Sequence, residues 1–200
     1  MSTAFIGDIH GCSDALADLL QMVGGSADRL VFVGDYVDRG PNSMSVLDQL
    51  IQLKARGDQE VVFLAGNHDR ILLKALSDDD GLNDLLRMGG ATTIRSYVEP
   101  PYLDVLSQLR RSIPDSHRDF LARLLDSWTD GEVSAVHDAR DAPMDAGYVV
   151  AGHAAQANLL PRVTSRRALI DTGCGTIRGG RLTCFYWPTK AWVQSSVPGI

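Results

Sequence analysis

Three short motifs in the first third of the chain combine glycine with acidic, amide and imidazole side chains. They are Gly7-Asp8-Ile9-His10-Gly11, Gly34-Asp35-Tyr36-Val37-Asp38-Arg39-Gly40 and Gly66-Asn67-His68-Asp69. Each motif directly follows an apolar run of the kind that forms a buried strand. Oxygen and imidazole donors of these types bind divalent cations such as Mn²⁺, Fe or Zn²⁺. Because ligands bind at the carboxyl ends of the strands in open α/β sheets, the motifs predict several strands that deliver metal ligands to one point.

Two later histidines repeat this design. His137 ends the apolar run 133–136, and His153 follows Gly152 after the run 148–151. A single aspartate after a strand is more often a turn or cap residue, but the same arrangement at four strand ends disfavours that interpretation. The absence of cysteine from these positions argues against a structural zinc site. The candidate metal ligands are Asp8, His10, Asp35, Asn67, His137 and His153.

The three blocks GDxHG, GDxxDRG and GNH followed by an acid resemble the signature of the calcineurin-like metallophosphatases. Within them the chain resembles the phosphoprotein phosphatase family, and most of all its compact bacterial and phage serine/threonine phosphatases. The resemblance is specific over the first seventy residues. A looser likeness continues in the stretches 88–97 and 171–174.

The resemblance implies a division of the ligands between two divalent metal ions, most simply Mn²⁺. It assigns one ion to Asp8, His10 and Asp35, and the second to Asp35, Asn67, His137 and His153. A carboxylate shared in this way is what allows two cations to lie about 3.5–4 Å apart in a hydrolase.

Three further residues in the motifs have implied roles at the phosphate. His68 resembles the general acid that protonates the leaving oxygen, and Asp38 would accept its hydrogen bond and hold it protonated. Arg39 resembles a phosphate clamp, because a guanidinium group pairs with two phosphate oxygens in one plane. The alternatives are a salt bridge between Asp38 and Arg39, and a solvated loop arginine.

The region after His137 departs from the family pattern. Asp138-Ala139-Arg140 stand where relatives carry small residues or glycine, and the segment that leads to His153 is shorter than in relatives, which usually carry a second phosphate-binding arginine there. Arg140 is therefore the candidate second phosphate-binding residue. The alternatives are a surface ion pair of Arg140 with Asp138 or Asp141, or a clamp supplied by Arg95 or Arg162.

The hydrophobic pattern predicts an α/β protein. Residues 1–68 have a β-α-β-α-β pattern with Ser13 as the first helix cap, and about 69–127 are predicted to form a helical layer or lid in which His117 is a surface residue. The predicted later strands are 133–136, 148–151, 168–171, 182–187 and 191–194. The resemblance implies a four-layer α/β/β/α sandwich of two mixed sheets, and we expect residues 1–200 to form one domain.

The composition excludes several classes of protein. A net charge of −6 argues against a nucleic-acid surface, and no apolar run approaches the roughly 20 residues of a membrane span. The chain enters a strand at once, which leaves no room for a signal peptide. Three cysteines fit reduced thiols better than a disulfide framework. We therefore expect a cytoplasmic protein without nucleic-acid or membrane partners.

These features favour a metal-dependent phosphatase in which a hydroxide bridging the two metals attacks phosphorus directly. The expected substrate is a phosphomonoester, either phosphoserine or phosphothreonine in a partner protein or a small phosphoester. The first alternative is a bis(5′-nucleosyl)-tetraphosphatase, whose relatives share the opening motifs; the shortness of the chain argues mildly against it. The second is a non-catalytic scaffold of the same fold. A scaffold should have lost the acid His68 or some ligands, whereas this chain keeps them all.

Overall fold

A computed structural model describes residues 1–78 and 80–200. Its strands are β1 (Thr3–Ile6), β2 (Arg29–Phe32), β3 (Glu60–Phe63), β4 (Ser127–Thr129), β5 (Val133–Val136), β6 (Tyr148–Ala151), β7 (Arg162–Val163), β8 (Arg167–Leu169), β9 (Arg181–Trp187) and β10 (Trp192–Pro198). Its α-helices are α1 (Ser13–Val23), α2 (Ser43–Arg56), α3 (Asn67–Ser77), α4 (Gly81–Arg87), α5 (Ala91–Tyr97), α6 (Val105–Ser112) and α7 (Asp115–Ala122).

The strands form two mixed sheets of five strands each. The first has the order β10-β9-β1-β2-β3, in which β1, β2 and β3 are parallel and β9 and β10 antiparallel. The second has the order β4-β5-β6-β8-β7, in which β5, β6 and β8 are parallel and the two edge strands antiparallel. The predicted α/β class with two mixed sheets is confirmed.

The two faces of the first sheet pack against different partners, as the alternation of side chains along a strand requires. In β1, Phe5 belongs to the apolar layer between the sheets, where its ring lies 5.9 Å from Trp128 of the second sheet. Tyr148 and Phe185 stack across the same layer at 6.0 Å. Ile6 faces the opposite way, into the core shared with the helices. Every residue of β1 is buried for this reason.

The α-helices of the described residues all precede β4 and pack on the side of the first sheet. Beyond Ala122 the described chain forms only a short 3₁₀ helix, Ala139–Asp141, so the helical layers on the two sheets are unequal. None of the helices described is long and apolar enough to cross a membrane. The single-domain interpretation with a helical lid at 69–127 stays a prediction.

The structure corrects several local expectations. Ser13 is the first residue of α1 and not its cap, because Cys12 occupies the capping position without a side-chain hydrogen bond. His117 is buried with only 1% of its surface exposed, not a surface residue. Strands β4 and β7 were not predicted, since each is only two or three residues long, and β10 extends beyond its predicted end to Pro198.

Candidate metal centre and active site

The parallel strands of both sheets place the candidate ligands at one edge. In the first sheet, β1 and β2 end just before Asp8 and Asp35, and Asn67 begins the helix that follows β3. In the second sheet, His137 directly follows β5 and His153 lies two residues beyond the end of β6. Both sheets therefore contribute side chains to the same site.

The structure brings five of the six candidate ligands into contact through two groups that share Asp35. His10 Nε2 lies 3.6 Å and His137 Nε2 3.4 Å from Asp35 Oδ2. Asn67 Oδ1 lies 3.0 Å from both His137 Nε2 and His153 Nδ1, and these two ring nitrogens are 3.3 Å apart. A carboxylate shared by two clusters of donors is the arrangement that a two-metal centre needs.

In His10 and His137, the hydrogen bond made by Nδ1 leaves Nε2 to turn a lone pair toward this centre. His10 Nδ1 lies 3.1 Å from the carbonyl oxygen of Val37, and His137 Nδ1 lies 2.9 Å from that of Val33. A carbonyl oxygen can only accept, so each Nδ1 carries a hydrogen. In the neutral rings, Nε2 is then an acceptor that faces the acceptor oxygen of Asp35. Acceptors that face one another are favourable only when a cation lies between them.

Asp8 provides a second test of whether a cation fits. The residue is 2% exposed, and its Oδ2 accepts a hydrogen bond of 3.0 Å from the backbone N–H of His153. Its Oδ1 is buried without a partner among the described residues. Burial raises the pKa of the Asp8 carboxyl, and the charges of Asp171 and Asp35 raise it further. An unpartnered buried carboxylate oxygen beside other carboxylates costs free energy. The residues present therefore fit a divalent cation at Asp8.

The titration behaviour of the histidines agrees with this electrostatic picture. Burial lowers the pKa of His10 to about 4 despite the opposing charge of Asp35, so the ring is neutral near pH 7. Burial alone would lower the pKa of His137, but its hydrogen bond with Asp35 and the charges of Asp35 and Asp8 raise it to about 10. The carboxylates of Asp35 and Asp8 thus favour positive charge at the position that His137 Nε2 faces.

His68 lies on the first turn of α3, beside the centre. Its Nδ1 donates a hydrogen bond of 2.8 Å to Asp38 Oδ2, and its backbone N–H donates one of 3.0 Å to Asp35 Oδ1. The ring is 4.7 Å from that of His10, edge to face. Donor atoms of His10, Asp35 and His68 all lie within 4.8 Å of one another, so the geometry includes His68 in a group where the motifs place Asp8.

Hydroxyl groups from two helices fix Asp38. Thr93 Oγ1 donates to Asp38 Oδ1 at 2.6 Å, and the backbone N–H of Asp38 is shared by Thr93 Oγ1 and Ser43 Oγ at 2.9 and 3.1 Å. Asp38 has φ 70°, a conformation that is unfavourable for an L-residue and is found where surrounding contacts impose it. Thr93 lies within the stretch 88–97 that resembles the family, but no local pattern singles it out.

Asp69, the acid that ends the third motif, shapes the turn that carries Asp35. Its buried carboxylate accepts backbone hydrogen bonds of 2.8–2.9 Å from Asp35, Tyr36 and Gly66. Burial and the charge of Asp35 raise the pKa of Asp69 to about 7 against the lowering effect of those hydrogen bonds. Asp35 is held at φ 54° by this network. The motif itself signalled Asp69, but the sequence analysis assigned it no role.

Two glycines are required because a carboxylate passes directly over their Cα atoms. A Cβ atom on Gly66 would lie 2.0 Å from Asp35 Oδ1, and one on Gly152 would lie 2.0 Å from Asp8 Oδ1. No side chain fits at either position. Gly66 and Gly152 therefore keep room for the candidate ligands Asp35 and Asp8.

The structure places the two candidate phosphate-binding arginines differently. Arg39 is exposed at the rim of a cavity of about 230 Å³ that His10, Asp35 and His68 also line. Among the residues described, Arg39 forms no ion pair, since Asp38 pairs with His68 instead. Arg140 is 82% exposed and its guanidinium group pairs with Asp138. It lies at an adjoining cavity of about 530 Å³.

Comparison with known proteins establishes the family. Residues 1–155 match the family model described as calcineurin-like phosphoesterase. The chain belongs to this family. The matched region contains all six candidate ligands, together with His68, Asp38, Arg39 and Arg140.

Two relatives are similar to part of this chain. It is 48% identical over 75 residues to a symmetrical bis(5′-nucleosyl)-tetraphosphatase of Nitrosomonas europaea, covering 36% of this chain and 26% of that protein. It is 35% identical over 121 residues to the enzyme of the same name from Pseudomonas putida, covering 60% and 38%. The chain thus spans well under half the length of these relatives. Both names correspond to the tetraphosphatase alternative and not to the expected serine/threonine phosphatase.

A solved structure supports the fold over the full chain. A protein provisionally described as a diadenosine tetraphosphatase superposes with a TM-score of 0.66 at 24% identity, covering 100% of this chain and 94% of that one. The two-sheet arrangement is therefore that of a metallophosphoesterase.

Asp171 lies beyond the matched family region, yet the fold brings it to the centre. It follows β8, is 2% exposed and lines the cavity that contains His10, Asp35 and His68. Its Oδ1 accepts a hydrogen bond of 3.0 Å from the backbone N–H of Gly173, and burial raises the pKa of its carboxyl. The sequence placed this residue in a loop near the site without chemistry. Its proximity adds a third buried carboxyl group to Asp8 and Asp35.

Proposed function

We propose that this chain hydrolyses a phosphoanhydride bond of bis(5′-nucleosyl) tetraphosphates with two divalent cations, most simply Mn²⁺. The observation that carries the hydrolytic chemistry is the pair of donor clusters that share Asp35. The substrate class is supported by the names of relatives that match 36% and 60% of the chain. The phosphoprotein partner expected from the resemblance has no such support.

The six ligands keep the division that the motifs imply. Asp8, His10 and Asp35 would hold one cation, and Asp35, Asn67, His137 and His153 the other. When bound, the cations supply Lewis acidity to the phosphoryl oxygens and lower the pKa of water. The chain contributes a rigid frame, because Asp35 and Asp8 are each held by a backbone N–H of a neighbouring motif, those of His68 and His153.

His68 is the proposed proton donor to the departing oxygen. Asp38 accepts the hydrogen on Nδ1, which leaves Nε2 free to donate a proton when the ring is charged. The two hydrogen bonds from Thr93 and Ser43 limit the positions that Asp38 can occupy. The pair therefore presents one defined ring nitrogen to the cavity.

Arg39 is the proposed phosphate-binding residue. It has φ 68°, and its backbone N–H donates to the carbonyl oxygen of Gly89 at 3.2 Å. A Cβ on Gly89 would lie 3.1 Å from Arg39 Cγ, so the glycine leaves room for the stem of the arginine. The loop is thus anchored at its backbone while the guanidinium group stays available for phosphate oxygens.

The proposal is tested by comparing the hydrolysis rates of the different substrate classes. Purified protein with Mn²⁺ is supplied separately with diadenosine tetraphosphate, a phosphothreonine peptide and p-nitrophenyl phosphate, and products are separated by ion-exchange chromatography. We expect the tetraphosphate to give two ADP molecules with the highest kcat/KM. Asp35→Asn serves as the inactive control. Turnover of the peptide without turnover of the tetraphosphate would restore the phosphomonoesterase hypothesis.

A further inference from the structure

Asp138 lies directly after the candidate ligand His137 and contacts the candidate ligand His153. Its Oδ2 is 3.3 Å from His153 Nε2. The same oxygen accepts hydrogen bonds of 2.9 and 2.5 Å from Nε and Nη2 of Arg140. Its Oδ1 accepts from the backbone N–H of Arg140 at 2.9 Å and so begins the 3₁₀ turn 139–141. One carboxylate therefore connects the turn, the arginine and the histidine.

The contact with Asp138 determines how His153 presents its other nitrogen. The negative charge of an ionised carboxylate at this distance favours the tautomer with the hydrogen on Nε2, and in the neutral ring Nδ1 then keeps its lone pair. Nδ1 lies 3.0 Å from Asn67 Oδ1 and 3.3 Å from His137 Nε2. His153 thus faces the second candidate cation with the nitrogen that Asp138 leaves unprotonated.

His153 needs such a support more than the other two histidines do. The rings of His10 and His137 are buried, with side-chain exposures of 4% and 9%, and each is tied to a backbone carbonyl. The side chain of His153 is 33% exposed, and in the described residues its Nε2 contacts the Asp138 carboxylate rather than a carbonyl. Of the three rings, His153 has the most freedom to rotate away from the centre.

We propose that Asp138 is a positioning residue that fixes the ring orientation and tautomer of His153 for the second cation. The inference rests on the two-metal centre of the proposed function. Arg140 acts one step further out, because its guanidinium group holds the carboxylate from the solvent side. The sequence His-Asp-Ala-Arg, which departs from the family pattern, then has a structural purpose. A carboxylate behind a metal-ligating histidine typically changes metal affinity 10–100-fold.

The test is the calorimetric titration of metal-free protein with Mn²⁺. Wild-type protein is expected to show two sites. Asp138→Ser keeps a residue that can cap the turn but is too short to reach His153, and we expect one site to weaken about 10–100-fold while the other keeps its affinity. Asp141→Asn is the matched control, since it removes a negative charge from the same exposed turn without a contact to His153 in the described structure. Both of its sites should match the wild type.

The outcomes separate the inference from the centre on which it rests. Wild-type protein that binds a single Mn²⁺ would overturn both. Two wild-type sites that Asp138→Ser leaves unchanged would overturn the role of Asp138 alone. An equal loss at both sites, accompanied by a lower melting temperature of the metal-free variant, would show a general structural effect and also reject the inference. Asp138→Asn, which keeps the shape of the side chain, should reproduce the selective loss in a milder form.

Discussion

The hydrogen bond between His68 Nδ1 and Asp38 determines which ring nitrogen carries the transferable proton. A general acid typically contributes about 10²–10⁴ to the rate, and more when the leaving oxygen is more basic. For His68→Asn we expect kcat to fall by about 10² on diadenosine tetraphosphate, whose leaving phosphate oxygen is weakly basic. The loss should approach about 10⁴ on an alkyl phosphate. Steady-state kinetics over a series of leaving groups measures this dependence.

The metal content of the same variant checks whether His68 is a proton donor, as proposed, and not a metal ligand like Asp8. Elemental analysis of His68→Asn should still give two cations per chain, because His68 is not a proposed ligand. Loss of a cation would instead place His68 in the cluster that it forms with His10 and Asp35. An equal loss of rate on every leaving group would also argue against an acid at this position.

Asp8 is expected to show a conflict between stability and metal binding. Among the described residues its Oδ1 is buried without a partner, and burial and the charges of Asp171 and Asp35 raise its pKa, so the ionised carboxylate is unfavourable in the metal-free fold. For Asp8→Asn we expect the metal-free protein to gain about 1–3 kcal/mol in its free energy of unfolding, because a neutral amide replaces a buried charge beside two carboxylates. Urea unfolding with a chelator present measures the gain.

The same substitution should weaken binding of one cation. Calorimetric titration with Mn²⁺ is expected to show one site at wild-type affinity and one weakened site. A metal-free Asp8→Asn protein that is less stable than the wild type would contradict the view that Asp8 is poised for a cation.

Helix α5 supports the active site through Thr93, whose hydroxyl group contacts both the carboxylate and the backbone N–H of Asp38. Thr93→Val keeps the shape of the side chain and removes these hydrogen bonds. We expect kcat to fall about 10-fold, the scale of groups that orient catalytic residues, with both cations retained. Thr92→Val is the matched control, because the Thr92 hydroxyl group reaches only the carbonyl oxygen of Gly89. Equal kinetics for the two variants would remove Thr93 from the support of Asp38.

Three helices meet at the buried ring of His117. Its Nε2 is 3.0 Å from Asp48 Oδ1 on α2, and its Nδ1 is 2.7 Å from the Tyr97 hydroxyl group on α5, while the residue itself belongs to α7. Burial raises the pKa of Tyr97, so its hydroxyl group stays a donor. For His117→Ala we expect the free energy of unfolding to fall by about 1–3 kcal/mol, since two hydrogen bonds of about 0.5–1.5 kcal/mol each are lost.

Chemical denaturation measures this loss. Arg118→Ala, at the neighbouring position of α7, is the variant with which it is compared. Metal stoichiometry should be unchanged, because His117 is not a candidate ligand. A loss no larger than that of Arg118→Ala would mean that the three-helix contact contributes little to stability.

At the scale of the whole molecule, the candidate metal centre joins the two sheets. His137 of the second sheet donates to the carbonyl oxygen of Val33 in the first, and the backbone of His153 donates to Asp8. Cations bound across this junction stabilise only the folded state, by about 2.7 kcal/mol for a ligand at 100 times its Kd. Chelation should therefore abolish activity and lower the melting temperature, and Mn²⁺ should restore both. Full activity in protein shown by elemental analysis to be free of metal would reject the two-metal centre.

The sequence by itself determined the strand ends and the donors at them. A short apolar run followed by glycine and a polar residue is a local pattern, and parallel strands necessarily bring such ends to one edge of a sheet. The motifs therefore predicted Asp8, Asp35 and Asn67 as candidate ligands, and the α/β class, before any contact was known. The same local pattern includes Gly66 and Gly152. Only the fold shows why glycine is needed there: a Cβ atom would lie 2.0 Å from a carboxylate oxygen.

The tertiary structure alone decided which distant side chains support these donors. Thr93 meets Asp38 across 55 positions of the chain, and His117 meets Asp48 across 69. Asp138 contacts His153, which follows the next strand, and also accepts a hydrogen bond from the guanidinium group of Arg140. Such pairs depend on how helices and sheets pack. The sequence offers each polar side chain many possible partners, and the packing decides which of them lies within hydrogen-bond distance.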